Sequence, residues 1–355
     1  ESVYINASIE SVGDYAFANM PRLNSVDIHN AIIGNHMFDT APALQTLNIP
    51  ASVTNIGSYS FANAALTTIT FENTLIGDHM FYNNDSLLNV VVTNNINTIR
   101  AAAFENCDRI ASISLPFIGS IRYADDSTNT DTFGFIFGNE VDTAENFDII
   151  EQNGNTYYIP LTLKSVAITD DTAIKAHGFE NVTKVKTVTL PQGHGVDDFT
   201  LIGQQAFKGM TLLSTIKLAA EVTNILPQTV TTIGNEAFMN DVALQTITLP
   251  RDLTTLGISA FEGATTLNTV NFTGRALQTI ATRTFYNDYA LENMTYIDAD
   301  GETVVSAIDT ICVPNTIQTI ETLAFYNTEA IKNVIIPTSV TSIESSILGG
   351  ATALE

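Results

Sequence analysis

Five histidines, two cysteines and an acidic stretch near residues 119–160 are what this 355-residue chain offers for acid–base, nucleophilic or metal chemistry. His36, His79 and His177 each stand two residues before a phenylalanine. An imidazole there could act as a base or a ligand only with a partner group held beside it. The same place elsewhere holds Tyr15, Tyr59, Ala102, Gln205, Glu236, Ser259 and Arg283. A position open to every chemical type is expected to be a solvated turn rather than a catalytic station. His29 and His194 fall on expected loops without ligand spacing. Asp298-Ala299-Asp300-Gly301-Glu302 has the opening of a calcium loop but lacks the remaining ligands, so an Asp/Gly turn is the expectation. No Ser/His/Asp or Cys/His set, phosphate loop or dinucleotide fingerprint stands out, and neither a catalytic nor a cofactor or metal site is expected.

The elements that carry these residues are copies of one another. Ile56-Gly57-Ser58-Tyr59-Ser60-Phe61-Ala62-Asn63 recurs as Ile202-Gly203-Gln204-Gln205-Ala206-Phe207-Lys208-Gly209 and as Ile233-Gly234-Asn235-Glu236-Ala237-Phe238-Met239-Asn240. The marker phenylalanines are Phe17, Phe38, Phe61, Phe81, Phe104, Phe179, Phe207, Phe238, Phe261, Phe285 and Phe325, with Leu348 in a last degenerate copy. Where no insertion intervenes they are 20 to 24 residues apart. After each comes a leucine, then an apolar-polar-apolar run often closed by proline, as in Leu44 with Leu47-Asn48-Ile49-Pro50 and Leu244 with Ile247-Thr248-Leu249-Pro250. Such alternation predicts a short strand with one buried face, and proline ends it because it cannot donate to a ladder. The Gly of Ile-Gly and the Asn or Gly after each Phe are expected to supply turns. One such unit cannot bury its own apolar edge, but stacked units share a continuous core.

The Ile-Gly-x-x-Ala-Phe-x-Asn segments and Leu-x-x-Ile-x-Leu-Pro strands resemble the BspA-like leucine-rich-repeat family of bacterial and protist cell-surface proteins, over nearly all the chain except 119–160. The resemblance implies an α/β architecture. It would be a right-handed, curved solenoid with a parallel β-sheet on its concave face and short turns or helical segments on its convex side. It also implies a secreted or cell-surface setting and contact with host or neighbouring-cell macromolecules.

Composition sets limits on partners. With 38 acidic and 14 basic side chains the formal charge is −24, which argues against nucleic acid and anionic membranes. No apolar run is long enough to span a bilayer. Cys107 and Cys312 lie about eight coils apart, tens of ångströms at ~4.8 Å per stacked strand, too far for a disulfide. The chain opens on a strand, Val3-Tyr4-Ile5, and stops where another is due, so a segment of a longer, exported protein is expected, and a monomer.

Within a single solenoid, residues 1–118 form a first block and 161–355 a second. Between them, 119–160 carries Asp125, Asp126, Asp131, Glu140, Asp142, Glu145, Asp148 and Glu151 against a single Arg122. It also carries Phe133, Phe135, Phe137, Phe147, Tyr157 and Tyr158, too aromatic for a linker; Phe137 could mark a distorted repeat. Alternation places Thr46/Asn48, Thr68/Thr70, Thr187/Thr189, Thr215/Lys217, Thr246/Thr248 and Thr269/Asn271 outward, with Thr310/Cys312, Val91 and Ile335 among the remaining outward positions. Val91, one strand before the insertion, is expected to be covered. This nearly uncharged face could simply be what threonine does well on an exposed strand. As a working surface it would be a hydrogen-bonding trough for extracellular proteins or glycans, with Phe133, Phe135, Tyr157 and Tyr158 as anchors on the insertion. A spacer that only projects other domains from the cell surface is the alternative.

Overall fold

The computed structural model describes residues 1–123, 131–191, 198–218, 221–222, 224–297 and 304–355. Asp125, Asp126, His194 and the Asp298–Glu302 turn lie outside the described residues. The chain divides into two compact units, residues 1–170 and 171–355, each built of stacked coils. The 119–160 stretch belongs to the first.

Every regular coil contributes a main strand, a two-residue strand and an outer turn. In the first unit the main strands run in parallel register, Ser2–Ile5 beside Ser25–Ile28, Thr46–Ile49 beside Thr68–Phe71, and Asn89–Val91, Ser112–Leu115 and Ser165–Ile168 in succession. In the second unit Thr187–Leu190 pairs with Thr215–Leu218. Thr246–Leu249, Thr269–Phe272, Asn293–Ile297, Thr310–Cys312 and Asn333–Ile335 follow one another in the same parallel sense. The step from Thr215–Leu218 to Thr246–Leu249 is bridged by residues 224–226: Asn224 N–H bonds the Ile216 carbonyl, and the Asn224 carbonyl accepts from Thr248 N–H. Inward residues such as Leu47, Ile49, Ile247 and Leu249 are buried, as the alternation predicts.

The marker phenylalanines form the spine. In the first unit Phe38, Phe61, Phe81 and Phe104 stack with ring centroids 5.2–6.4 Å apart. In the second, Phe179, Phe207, Phe238, Phe261, Phe285 and Phe325 do so at 5.0–5.6 Å. Phe137 joins the first spine's register: Phe104 N–H bonds the Ile136 carbonyl, just as Phe81 N–H bonds that of Ala103, one residue before its neighbour's marker.

The outer turns are not helical. Among the described residues the only helices are the short 3-10 turns Phe133–Phe137 and Ala144–Asn146, both in the insertion. The cause is a left-handed residue two places before and two places after nearly every marker, for example Tyr59 (φ 55°) and Asn63 (φ 54°), or Glu236 (φ 56°) and Asn240 (φ 64°). Each non-glycine residue held there costs about 1–2 kcal/mol, and no helix survives the alternation. What offsets the cost is coil-to-coil hydrogen bonding: Glu236, Phe238 and Asn240 donate their N–H groups to Ile258, Ala260 and Glu262. Asparagine suits the later position, tolerating the left-handed region while its amide reaches along the stack, as Asn83 Nδ2 does to Asn63 Oδ1 at 2.8 Å.

The glycine of Ile-Gly does something other than turn. Gly57, Gly203, Gly234 and Gly257 are absent from the left-handed residues; each lies where a Cβ would meet the preceding coil's backbone at 2.4–2.5 Å. They set how closely coils approach. Gly234→Ala should therefore cost about 1–3 kcal/mol in urea unfolding, whereas Gly13→Ala, with nothing within 4 Å of its added Cβ, should cost nothing measurable.

Candidate ligand-binding face

Two surfaces gather chemistry: the outward side of the main strands, and the outer turns of the first unit where the insertion meets them. On the first, parallel register sets Thr46 beside Thr68 and Asn48 beside Thr70. All four are exposed. Among the described residues the hydroxyls of Thr46, Thr68 and Thr70 make no hydrogen bond within the chain, while Asn48 Nδ2 reaches Glu72 at 3.3 Å. Tyr4, 63% exposed, and Val91, 60% exposed, stand on the same side of their strands.

In the second unit the corresponding positions are half-buried: Thr187, Thr189, Thr215, Lys217, Thr246, Thr248, Thr269 and Asn271. Part of this ladder satisfies itself, because Asn271 Nδ2 donates to Thr248 Oγ1 at 3.3 Å and Thr295 Oγ1 donates to Asn271 Oδ1 at 2.7 Å. The threonine face thus comes in two states, open in the first unit and partly self-paired in the second.

Three expectations about these positions change. Val91 is uncovered, because the chain after Leu115 folds toward the outer turns and leaves the strand face open. Thr310 and Cys312 are buried instead of outward. Residues 304–309 explain it: Val304–Val305 pairs antiparallel with Tyr296 and Ile297, Thr310 Oγ1 bonds the Ile308 carbonyl, and the Ala307 backbone meets the Cys312 thiol. Burial pushes that thiol's pKa up. Cys107 is buried too, its Sγ 3.1 Å from the Phe81 carbonyl, and both cysteines are free.

The insertion is a built part of the first unit. Phe147–Gln152 and Asn155–Pro160 form an antiparallel hairpin closed by Asn153-Gly154, both with positive φ, as a tight hairpin turn demands. Gly134 N–H bonds the buried Gln152 Oε1 at 2.7 Å, and Gly134 lies against the Tyr157 ring, where a Cβ would come within 2.4 Å. Phe133 and Tyr157 are consequently core residues and present no surface to a partner; Phe135 and Tyr158 are half-buried, and Ile149 is the exposed apolar residue of the hairpin.

The histidines of the outer turns are half-buried rather than freely solvated. His36 Nδ1 lies 2.8 Å from Asp39, His177 Nδ1 2.8 Å from Glu180, and His79 Nε2 3.2 Å from Glu105. Burial alone would raise the Asp39 pKa, but hydrogen bonds from Asn63, His36 and Thr40 hold it below the usual range. Tyr15, His36, Tyr59 and His79 stack in one column with centroids 4.5–4.9 Å apart. The repeated left-handed turn brings these rings together; the legible signal was the shared place two residues before a marker, with the His-x-x-Asp/Glu spacing announcing the pairs of His36 and His177 alone. Among the described residues no group of three or more His, Cys, Asp or Glu is placed to hold a metal ion. No helix among them is long and apolar enough to cross a membrane.

Comparison with known proteins agrees with this geometry. The family model described as BspA type leucine rich repeat region matches residues 10–128, 150–230, 222–300 and 303–355. No curated protein matches the chain. A leucine-rich repeat protein from Bacteroides ovatus, 18% identical, superposes with a TM-score of 0.50 over 100% of this chain and 77% of that one. The T. pallidum leucine rich repeat protein, also 18% identical, gives 0.44 over 61% of this chain and 91% of its own. A leucine rich cell surface protein from Faecalibacterium prausnitzii, 17% identical, gives 0.36 over 100% and 86%. With the family model covering most of its length and repeats of matching architecture in both units, the chain belongs to the BspA-type leucine-rich-repeat family.

Proposed function

We propose that this chain is an adhesive scaffold displayed outside the cell, holding host-matrix proteins, mucin-type glycans or neighbouring-cell surfaces against the outward strand face of its first unit. Its family is one of non-catalytic scaffolds, which supports binding by shape as the kind of work. The observation that carries the assignment to the first unit is its open threonine row. Thr46, Thr68 and Thr70 hold exposed hydroxyls with no partner among the described residues, flanked by the exposed Tyr4 and Val91. Neutral donors and acceptors on rigid strands lose little entropy when a partner takes them up, and an aromatic at the margin adds contact area.

Replacing Thr46 and Thr70 by lysine tests it. Both are exposed and diagonal rather than opposite in register, so stability should move by no more than about 0.5 kcal/mol. Adhesion to mucin-coated and matrix-coated surfaces should fall at least tenfold, and lysines at Thr246 and Thr248 should matter less. A folded Thr46/Thr70 variant that adheres like the parent would favour the spacer.

A further inference from the structure

A second, separate site lies on the outer turns of the first unit. There a cleft of about 360 Å³ opens between the coils and residues 140–142. Tyr59 and Tyr82 stand in it at 63° to one another with centroids 5.5 Å apart. Neither ring is loose. Tyr59 is clamped between His36 and His79, and the Tyr82 hydroxyl donates to Asp142 at 3.1 Å while accepting from Asn106 Nδ2 at 2.9 Å.

The cleft is electrically unbalanced. Glu105, its side chain 4% exposed, lines it and accepts the Glu140 backbone N–H at 3.2 Å; the basic side chain paired with it is a histidine. Glu140 carries an exposed carboxylate without a partner among the described residues, and Asp142 and Asp39 complete the negative lining. No lysine or arginine is among the lining residues. The tyrosines register this field: burial first, then the Glu105 and Glu140 charges, raise the Tyr59 pKa, and burial with the Asp142 hydrogen bond raises that of Tyr82.

A fixed aromatic corner beside carboxylates, in a space near the lower end of the roughly 300–1,000 Å³ range of ligand pockets, admits one side chain rather than a large molecule. Guanidinium suits it better than ammonium. It is planar, sheds water more readily and donates in pairs to carboxylates; with both faces of Tyr59 taken by His36 and His79, Tyr82 is the ring it would pack against. We infer that this cleft is a socket for an arginine side chain presented by a partner protein. The socket does not depend on the strand face, and the two can fail independently.

Titrating the intact, isotope-labelled chain with acetyl-Gly-Arg-Gly-amide, and with the citrulline peptide of the same shape but no charge, tests it. Amide shifts should centre on residues 140–142 and Tyr82. The citrulline peptide should bind at least tenfold more weakly, as should the arginine peptide to Glu140→Gln/Asp142→Asn. Both of those side chains line the cleft's outer segment, and the amide oxygen introduced by Asp142→Asn can still accept from Tyr82, so the variant should melt like the parent. The Thr46/Thr70 lysine variant should bind the arginine peptide as the parent does. Equal binding of the two peptides, shifts centred elsewhere, no binding at all, or full retention by the Glu140/Asp142 variant would each overturn the socket.

Discussion

Phe238→Ala should cost about 3–5 kcal/mol, a large share of what one stack of coils can lose before it opens. Phe238 is fully buried, and its ring lies 5.0 Å from Phe207 at 8° and 5.1 Å from Phe261 at 4°. Truncation removes apolar area, leaves a cavity and ends two ring contacts at once. Because coils touch only their neighbours, the damage should be local. Hydrogen exchange should accelerate first at Phe207 and Phe238, whose N–H groups bond Ala237 and Ala260. Phe238→Leu, keeping most of the volume, should lose less than half as much. Phe17, half-exposed at the first coil of its unit, should tolerate alanine far better. A Phe238→Ala chain that unfolds within about 1 kcal/mol of the parent would show that the spine is decoration.

Asp241→Asn and Asp288→Asn should stabilise the chain, and increasingly so as pH rises. Both aspartates are completely buried three residues after a marker, and burial drives their pKa values well above the carboxylate range. The backbone N–H of Met210 meets one oxygen of Asp241 at 2.9 Å, that of Ala264 one oxygen of Asp288 at 2.8 Å, and the second oxygen of each has no partner. In three other coils the equivalent place is held by a donor: Asn84 Nδ2 gives to the Phe61 and Phe81 carbonyls, Cys107 Sγ to that of Phe81, and Thr328 Oγ1 to that of Phe325. Burial therefore favours the protonated form of both aspartates, whose second oxygen, unlike the Asn84 amide, finds no partner. The folded chain then holds more protons than the unfolded one from the ordinary carboxylate range upward. Stability contributed by each proton is complete below that range and is lost by about 1.4 kcal/mol per pH unit as pH climbs toward the raised folded value. Asparagine carries no such proton. Melting temperatures of the double variant and the parent should nearly coincide near pH 4 and diverge as pH rises above the ordinary carboxylate range. A gap that stays constant with pH would mean that the two acids are ionised in the fold.

The repeat, the spine and the strand faces were readable because they depend on alternation and spacing, which the sequence displays directly. Phe238 and Leu249 declare themselves buried by recurrence alone. What could not be read were features set by backbone approach and by long loops. Gly234 looks like a turn residue until its distance to the preceding coil is known. Cys312 reads as outward from strand alternation, yet residues 304–309 fold over it. Tyr59 and Glu140 are 81 residues apart in the chain, and only the path of the insertion places them in one cleft. The open and self-paired states of the threonine rows likewise depend on neighbours that no local pattern encodes.

The left-handed residues beside each marker also give the outer turns a polarity. In every regular coil the N–H groups of three alternate residues point toward the following coil and the carbonyls of that coil point back: His36, Phe38 and Thr40 to Ser58, Ser60 and Ala62 in the first unit, Ser259, Phe261 and Gly263 to Thr282, Thr284 and Tyr286 in the second. Parallel strands send bonds both ways, but this column sends them one way only. Within each unit its peptide dipoles, about 3.5 D apiece, add head to tail as they do along a helix. Such a stack has a direction: a coil can join it in one sense, and each bond polarises the next.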